Sequence, residues 1–185
     1  GDVYKRQVIE EVEGVHLKGK KNSDVKGFIL QNYQIGTFLS NLEKFFSKLE
    51  AIDFQSTNLT TVTPADLKPF SKLKNLNLRG NFISSLNADV FKGSKKLKAI
   101  DFSTNQLHYV GRDALKDLED LKEASFLNNP CISFNASSSS SLKELRKLLK
   151  ERCTSFAVNS TTIATPESNW TTTELPLTET SDDFL

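Results

Sequence analysis

The chain repeats itself every 24 residues, and that repeat limits what it can fold into. VKGFILQNYQI begins at Val25, LEAIDFQSTNL at Leu49, LKNLNLRGNFI at Leu73, LKAIDFSTNQL at Leu97 and LKEASFLNNPC at Leu121. The intervals 49−25, 73−49, 97−73 and 121−97 are each 24, with no slip. Self-similarity at a fixed period of this length signals stacked supersecondary units. Within each unit the apolar residues keep their offsets. The first position holds Val25, Leu49, Leu73, Leu97 and Leu121, and the fourth holds Phe28, Ile52, Leu76, Ile100 and Ala124. The sixth holds Leu30, Phe54, Leu78, Phe102 and Phe126. The eleventh holds Ile35, Leu59, Ile83 and Leu107 but then Cys131, and the fourteenth holds Phe38, Val62, Leu86 and Val110. Phe46, Leu67, Phe70, Phe91, Leu115 and Leu118 supply a far wall.

Fourth and sixth positions obey the strand period of two, so their side chains share one inward face. A single unit cannot bury that face, but stacked units can, with parallel strands about 4.8 Å apart. The ninth position holds Asn81, Asn105 and Asn129, where an inward amide can pair backbone groups that the turn leaves open. Tyr33 and Thr57 stand there in the first two units, which predicts a less regular start. PADLKPF, NADVFKG and GRDALKDL read as single helical turns on the convex side, and Pro69 prevents a long helix in the second unit.

This L-x-x-L-x-L-x-x-N-x-L pattern resembles the extracellular leucine-rich-repeat proteins, with the nearest likeness to secreted insect members. The resemblance covers roughly Val8 to Cys153. It implies an α/β leucine-rich-repeat solenoid with a parallel sheet on its concave face. It implies little about function, because one scaffold serves receptors, adhesion proteins and inhibitors alike.

A solenoid needs its open ends covered. After Cys131 and a polar stretch comes SLKELRKLLKERC, in which Ser141 and Glu144 have capping-box spacing and predict a helix from Leu142. Leu142, Leu145, Leu148 and Leu149 form one apolar stripe, and Cys153 returns to that face about three turns after Leu142. A Cys131–Cys153 disulfide would pin this cap, the alternative being two free buried thiols in a cytosolic protein. Lys143, Arg146, Lys147, Lys150 and Arg152 are assigned to the solvated face of the helix. The N-terminal cap is partial, with Val12, Val15 and Leu17 but no cysteine.

The organisation expected is therefore a non-native scar at 1–7, a partial cap at 8–24, repeats at 25–130, a C-terminal cap at 131–153 and a disordered Thr/Ser-rich tail at 154–185. The scar, GDVYKRQ, resembles a translated sequencing adapter, and a secretion signal is expected to have been lost with the true start. Asn-x-Ser/Thr acceptors fall at Asn58, Asn135, Asn159 and Asn169. Asn58 and Asn135 are expected in exposed loops, and with the cysteine pair they point to a secreted or extracellular protein.

The net charge of +1 offers no global field to recruit nucleic acid, and no apolar run approaches the roughly 20 residues of a membrane span. No catalytic, metal-ligand or phosphate-loop motif is present, so no enzyme activity and no cofactor are expected. His108 is read as a surface histidine beside Leu107. The outward strand positions carry the functional expectation. The third column is Gly27, Ala51, Asn75, Ala99 and Glu123, and the fifth is Ile29, Asp53, Asn77, Asp101 and Ser125. The seventh is Gln31, Gln55, Arg79, Ser103 and Leu127, and the second is a mostly basic edge of Lys26, Glu50, Lys74, Lys98 and Lys122. A protein ligand is expected on this face, centred on Asp53, Asn77, Arg79 and Asp101, in innate immunity or receptor signalling. The alternative is a structural adhesion or matrix protein, with an enzyme as the third reading.

Overall fold

A computed structural model describes residues 8–12 and 18–154. Residues 1–7, expected to be a scar, Val15 and Leu17, Asn159 and Asn169, and residues 155–185 lie outside the described residues. Five parallel strands build one face: β1 (Gly27–Ile29), β2 (Ala51–Asp53), β3 (Asn75–Asn77), β5 (Ala99–Asp101) and β7 (Glu123–Ser125). Their register is the sequence repeat itself. Gly27 pairs with Ala51, Ala51 with Asn75, Asn75 with Ala99 and Ala99 with Glu123. On the far side lie the two-residue strands β4 (Ser85–Leu86) and β6 (Tyr109–Val110), also parallel. The chain therefore folds as a leucine-rich-repeat solenoid.

The inward columns fill the space between these layers. Ile52, Leu76, Ile100 and Ala124 are buried, as are Phe54, Leu78, Phe102 and Phe126. The phenylalanine rings touch between units: Phe28 meets Phe54 edge-on, and Phe102 stacks on Phe126 at 5.6 Å. Phe38 bridges Phe54 and Phe70 on the far wall.

The asparagines act as staples between units. Asn81 accepts from the backbone of Thr57 and Leu59 in the preceding unit, both at 3.0 Å. Its amide donates to the Phe54 carbonyl at 2.7 Å and to its own Leu78 carbonyl at 2.9 Å. Asn105 and Asn129 repeat the pattern one and two units on. Thr57 is buried and keeps one bond of the set, from its hydroxyl to the Phe54 carbonyl at 3.0 Å. The Ile35 amide must then take the Thr57 backbone carbonyl instead of a side chain. Tyr33 turns outward altogether.

The convex side takes its single turns in two forms. PADLKPF contains a helix, α2 (Pro64–Leu67), started by Pro64 and by the Thr63 amide donating to the Asp66 carboxylate at 2.9 Å. NADVFKG and GRDALKDL do not form α-helix. They run as successive three-residue turns, Lys92 to Asp89 and Lys116 to Asp113 among them. Val90 and Phe91 are poor helix formers, and Asp113 takes a positive φ of 62° that interrupts a helix. These two turns pack so closely that a Cβ on Gly111 would lie 2.3 Å from the Ala88 amide nitrogen. A short helix not foreseen, α1 (Leu42–Phe45), serves the first repeat.

At the N-terminal end Val8 bridges Ser40 in parallel, and Ile9 and Val12 pack against the core. At the other end the cap helix α3 spans Ser139–Arg152, three residues earlier than the Ser141/Glu144 spacing predicts. Ser138 is the N-cap. Its side chain accepts from the Ser141 amide, and the Ser141 hydroxyl accepts from the Ser138 amide. Leu142, Leu145 and Leu149 are buried on the last repeat, with Leu148 half-buried. Cys131 and Cys153 are disulfide-bonded, their Cα atoms 5.3 Å apart. Arg146 is exposed, as expected of the solvated face, and also makes a tertiary contact. Its guanidinium donates to the Leu118 carbonyl at 3.0 Å and ties α3 to the last turn.

Candidate functional site: the concave groove

A groove of about 520 Å³ runs across the strand face from β1 to the antiparallel strand β8 (Asn135–Ala136). Two other hollows among the described residues hold about 190 and 60 Å³. The groove exists because the third column is mostly small. Gly27, Ala51 and Ala99 leave room beside the fifth-position side chains that line it.

Those side chains are held in one repeated way. The Gln55 amide donates to Asp53 at 3.0 Å, the Arg79 amide to Asn77 at 3.0 Å, and the Ser103 amide to Asp101 at 2.7 Å. Each is an Asx-type turn at the end of a strand, which fixes one oxygen of the side chain and sets the direction of the rest. Gln31 donates to the second Asp53 oxygen at 2.9 Å. Ser103 and Ser125 share a hydroxyl hydrogen bond at 2.6 Å. The outcome is a rigid row of half-buried Asp53, Asn77 and Asp101 on neighbouring strands.

Three of the four residues singled out from the sequence are thus brought together in register. Arg79 is exposed at the rim and forms no ion pair with Asp53 or Asp101 among the described residues. Its backbone is engaged, through the amide bond to Asn77, while its charge is directed to solvent. The two aspartates therefore lack the cation that the spacing had suggested.

The sequence reading missed the apolar ends of the groove. Ile29 is 71% exposed on β1, and Leu127 is 41% exposed just beyond β7. Both break polar columns, and that break is the signal that could have found them. Outside the groove, Tyr33 and Phe82 are 63% and 52% exposed. Tyr33 stands in the asparagine column and Phe82 beside Asn58 in the tenth column.

The basic edge is partly neutralised. Glu50 pairs with Lys74 and with Lys26, the latter at 3.3 Å. Lys74 first and Lys26 second hold the Glu50 carboxyl below the usual glutamate range. Lys98 and Lys122 are exposed and have no ion pair among the described residues. Among the described residues no cluster of three His, Cys, Asp or Glu could hold a metal, and no helix is long and apolar enough to cross a membrane. His108 lies exposed and away from the groove, its Nδ1 2.6 Å from the Gln106 carbonyl.

Asn58 sits in a left-handed turn, φ 60°, half-buried and outside the groove lining. When the protein passes through a eukaryotic secretory pathway, Asn58 is expected to carry an N-glycan. Mass analysis of a peptide spanning Asn58 before and after glycosidase checks this. An unchanged mass would refute it. Asn135 is not in a loop, as the sequence suggested, but in β8, paired with β7. The polar stretch after Cys131 folds back as an extra strand because Ala136 is small enough to pack opposite Ala124.

This geometry defines a class: an open leucine-rich-repeat scaffold whose concave sheet presents a fixed polar row. The comparisons agree with it. The family model described as Leucine rich repeat matches residues 71–123. A chain in a solved structure of the Toll–Spatzle complex, described as a molecular hub in Drosophila development and innate immunity, is similar to this one. It superposes with a TM-score of 0.56 at 17% identity, over 60% of this chain and 15% of that chain. At that identity the likeness shows the fold. No curated protein matches the sequence.

Proposed function

We propose that this protein is an extracellular binding module that recognises a protein ligand through its concave face, in a receptor or innate-immune setting. One observation carries the proposal. Asp53, Asn77 and Asp101 are pinned side by side in a wide open groove, and among the described residues neither carboxylate forms an ion pair. Fixed polar groups lose little freedom on binding, which favours recognition of a complementary surface. The groove is an open curved face in which carboxylate, amide and hydroxyl side chains stand among small and apolar residues, with Ile29 and Leu127 at its ends, a mixed surface that supports contact with a protein partner. The Cys131–Cys153 bond supports an oxidising compartment. The similar structure is a complex in innate immunity, which supports the setting. The exposed Tyr33 and Phe82 support a second reading, structural adhesion through the flank.

Charge reversal tests the concave reading. Asp101→Lys is expected to weaken capture of the ligand at least tenfold, about 1.4 kcal/mol of binding free energy. Asp101 is half-buried in the groove lining and its carboxylate accepts from the Ser103 amide, so the melting temperature should fall by only a few degrees. Undiminished capture by the folded variant would move the site away from the groove.

A further inference from the structure

We propose that Asn135 carries an N-linked glycan that covers the C-terminal end of the concave groove and confines the protein ligand to the part of the sheet from β1 to β5. This rests on the reading of a secreted protein with a concave ligand site. The acceptor motif is Asn135-Ala136-Ser137, with no proline in the middle. The fold settles where the glycan goes. In the antiparallel pair of β7 and β8, Ser125 lies opposite Asn135 and Ala124 opposite Ala136. Directly opposite residues point to the same face. Ala124 and Ala136 are both buried in the core, so Ser125 and Asn135 point the other way, into the groove.

Asn135 is exposed, and no side-chain hydrogen bond holds its amide among the described residues. β8 is the last strand of the sheet, so a bulky substituent has open space on its outer side. In the modification, the Asn135 amide nitrogen attacks the anomeric carbon of an oligosaccharide linked to a lipid pyrophosphate. The new nitrogen–carbon bond forms as the carbon–oxygen bond to pyrophosphate breaks. The lipid pyrophosphate leaves and the amide proton passes to a base of the transferase. The attached sugars then lie beside Leu127, which sits two residues past Ser125 just beyond β7 and so diagonally across from Asn135, about 7–8 Å away. That placement accounts for an exposed leucine at this end, because the glycan shields it from water. Ile29, at the opposite end, has no acceptor motif on its own strand β1 or on the paired β2. Asn58, the other described acceptor, lies outside the groove lining.

The test uses the full chain with a secretion leader, expressed in eukaryotic cells, beside Ser137→Ala. That variant removes the acceptor motif but keeps Asn135, and the Ser137 amide can still donate to the Ser141 hydroxyl. Glycopeptide mass at Asn135 and hydroxyl-radical labelling of Leu127 and Ile29 are read together. The expected result is a glycan at Asn135 in the parent only. Leu127 labelling should then be several-fold slower in the parent than in Ser137→Ala, with Ile29 labelled equally in both. An unmodified Asn135 in secreted protein, or Leu127 labelling that does not change when the glycan is lost, overturns the proposal. Neither readout involves the ligand, so this failure is distinct from failure of the concave binding site itself.

Discussion

Asn81→Ala is expected to destabilise the protein by about 3 kcal/mol, because buried backbone groups of two repeats lose their partners at once. The Asn81 amide bonds the Thr57 and Leu59 amides and the Phe54 and Leu78 carbonyls. A methyl group satisfies none of them, and the site is closed to bulk water. For a chain of this size the midpoint of thermal unfolding should fall by roughly 10 °C. Calorimetry or denaturant titration reads the loss. A change below about 1 kcal/mol would mean that water replaces the staple, and the asparagine ladder would not be what joins the repeats. Asn81 is the sharpest place to look because Thr57, its neighbour in the column, has already given up most of the bonds an asparagine makes there.

Reducing the Cys131–Cys153 bond should cost about 3 kcal/mol by the loop-entropy estimate for its sequence separation of 22. The loss should be local before it is global. The Val110 amide donates to the Cys153 carbonyl and the Cys131 amide to the Leu107 carbonyl, both at 2.9 Å, so the bond joins the cap to the fourth repeat at two points. In reductant, amides of α3 should lose hydrogen-exchange protection first, followed by those of β7. Repeats 49–96 should keep theirs, since each unit contacts mainly its neighbours. Uniform loss of protection along the chain would show that the cap is an integral part of one cooperative unit. Unchanged protection of α3 would show that Leu142, Leu145 and Leu149 hold it without the disulfide.

The repeat register was legible in the sequence because a 24-residue period admits one stacking, and a slip of one residue would turn Ile52, Leu76 and Ile100 out to solvent. The asparagine ladder was legible for a related reason: a polar residue recurring inside an apolar pattern must have fixed partners. The start of α3 was not legible. Five consecutive serines, Ser137 to Ser141, all have the chemistry of an N-cap, and only the length of the chain returning through β8 selects Ser138. The convex segments read as single helical turns, and their periodicity is too short to separate one turn of α-helix, as in Pro64–Leu67, from successive three-residue turns. Asp113 belongs to a residue type that tolerates φ above zero, but its neighbours Asp117 and Asp120 share that type, so the sequence does not mark which one takes it.

At the groove, the fifth column could be read as a row on one face. What the sequence did not show was which way Arg79 turns, because nothing packs against an exposed long side chain to choose its rotamer. Asn135 was misplaced for a different reason. A two-residue antiparallel strand made of Asn135 and Ala136 carries no alternation long enough to be recognised, and it forms only because β7 offers an edge.

The central claim is that the strand face, and not the turn side, meets the partner. A photo-crosslinking amino acid placed at Asn75, exposed in the middle of the groove, tests it against the same group at Lys92, exposed in the turns opposite the sheet. Both proteins would be incubated with extracellular fluid, irradiated, and resolved by mass. The account predicts a discrete adduct from the Asn75 position that competes away with unlabelled protein, and none from Lys92. An adduct from Lys92 with none from Asn75 would contradict it.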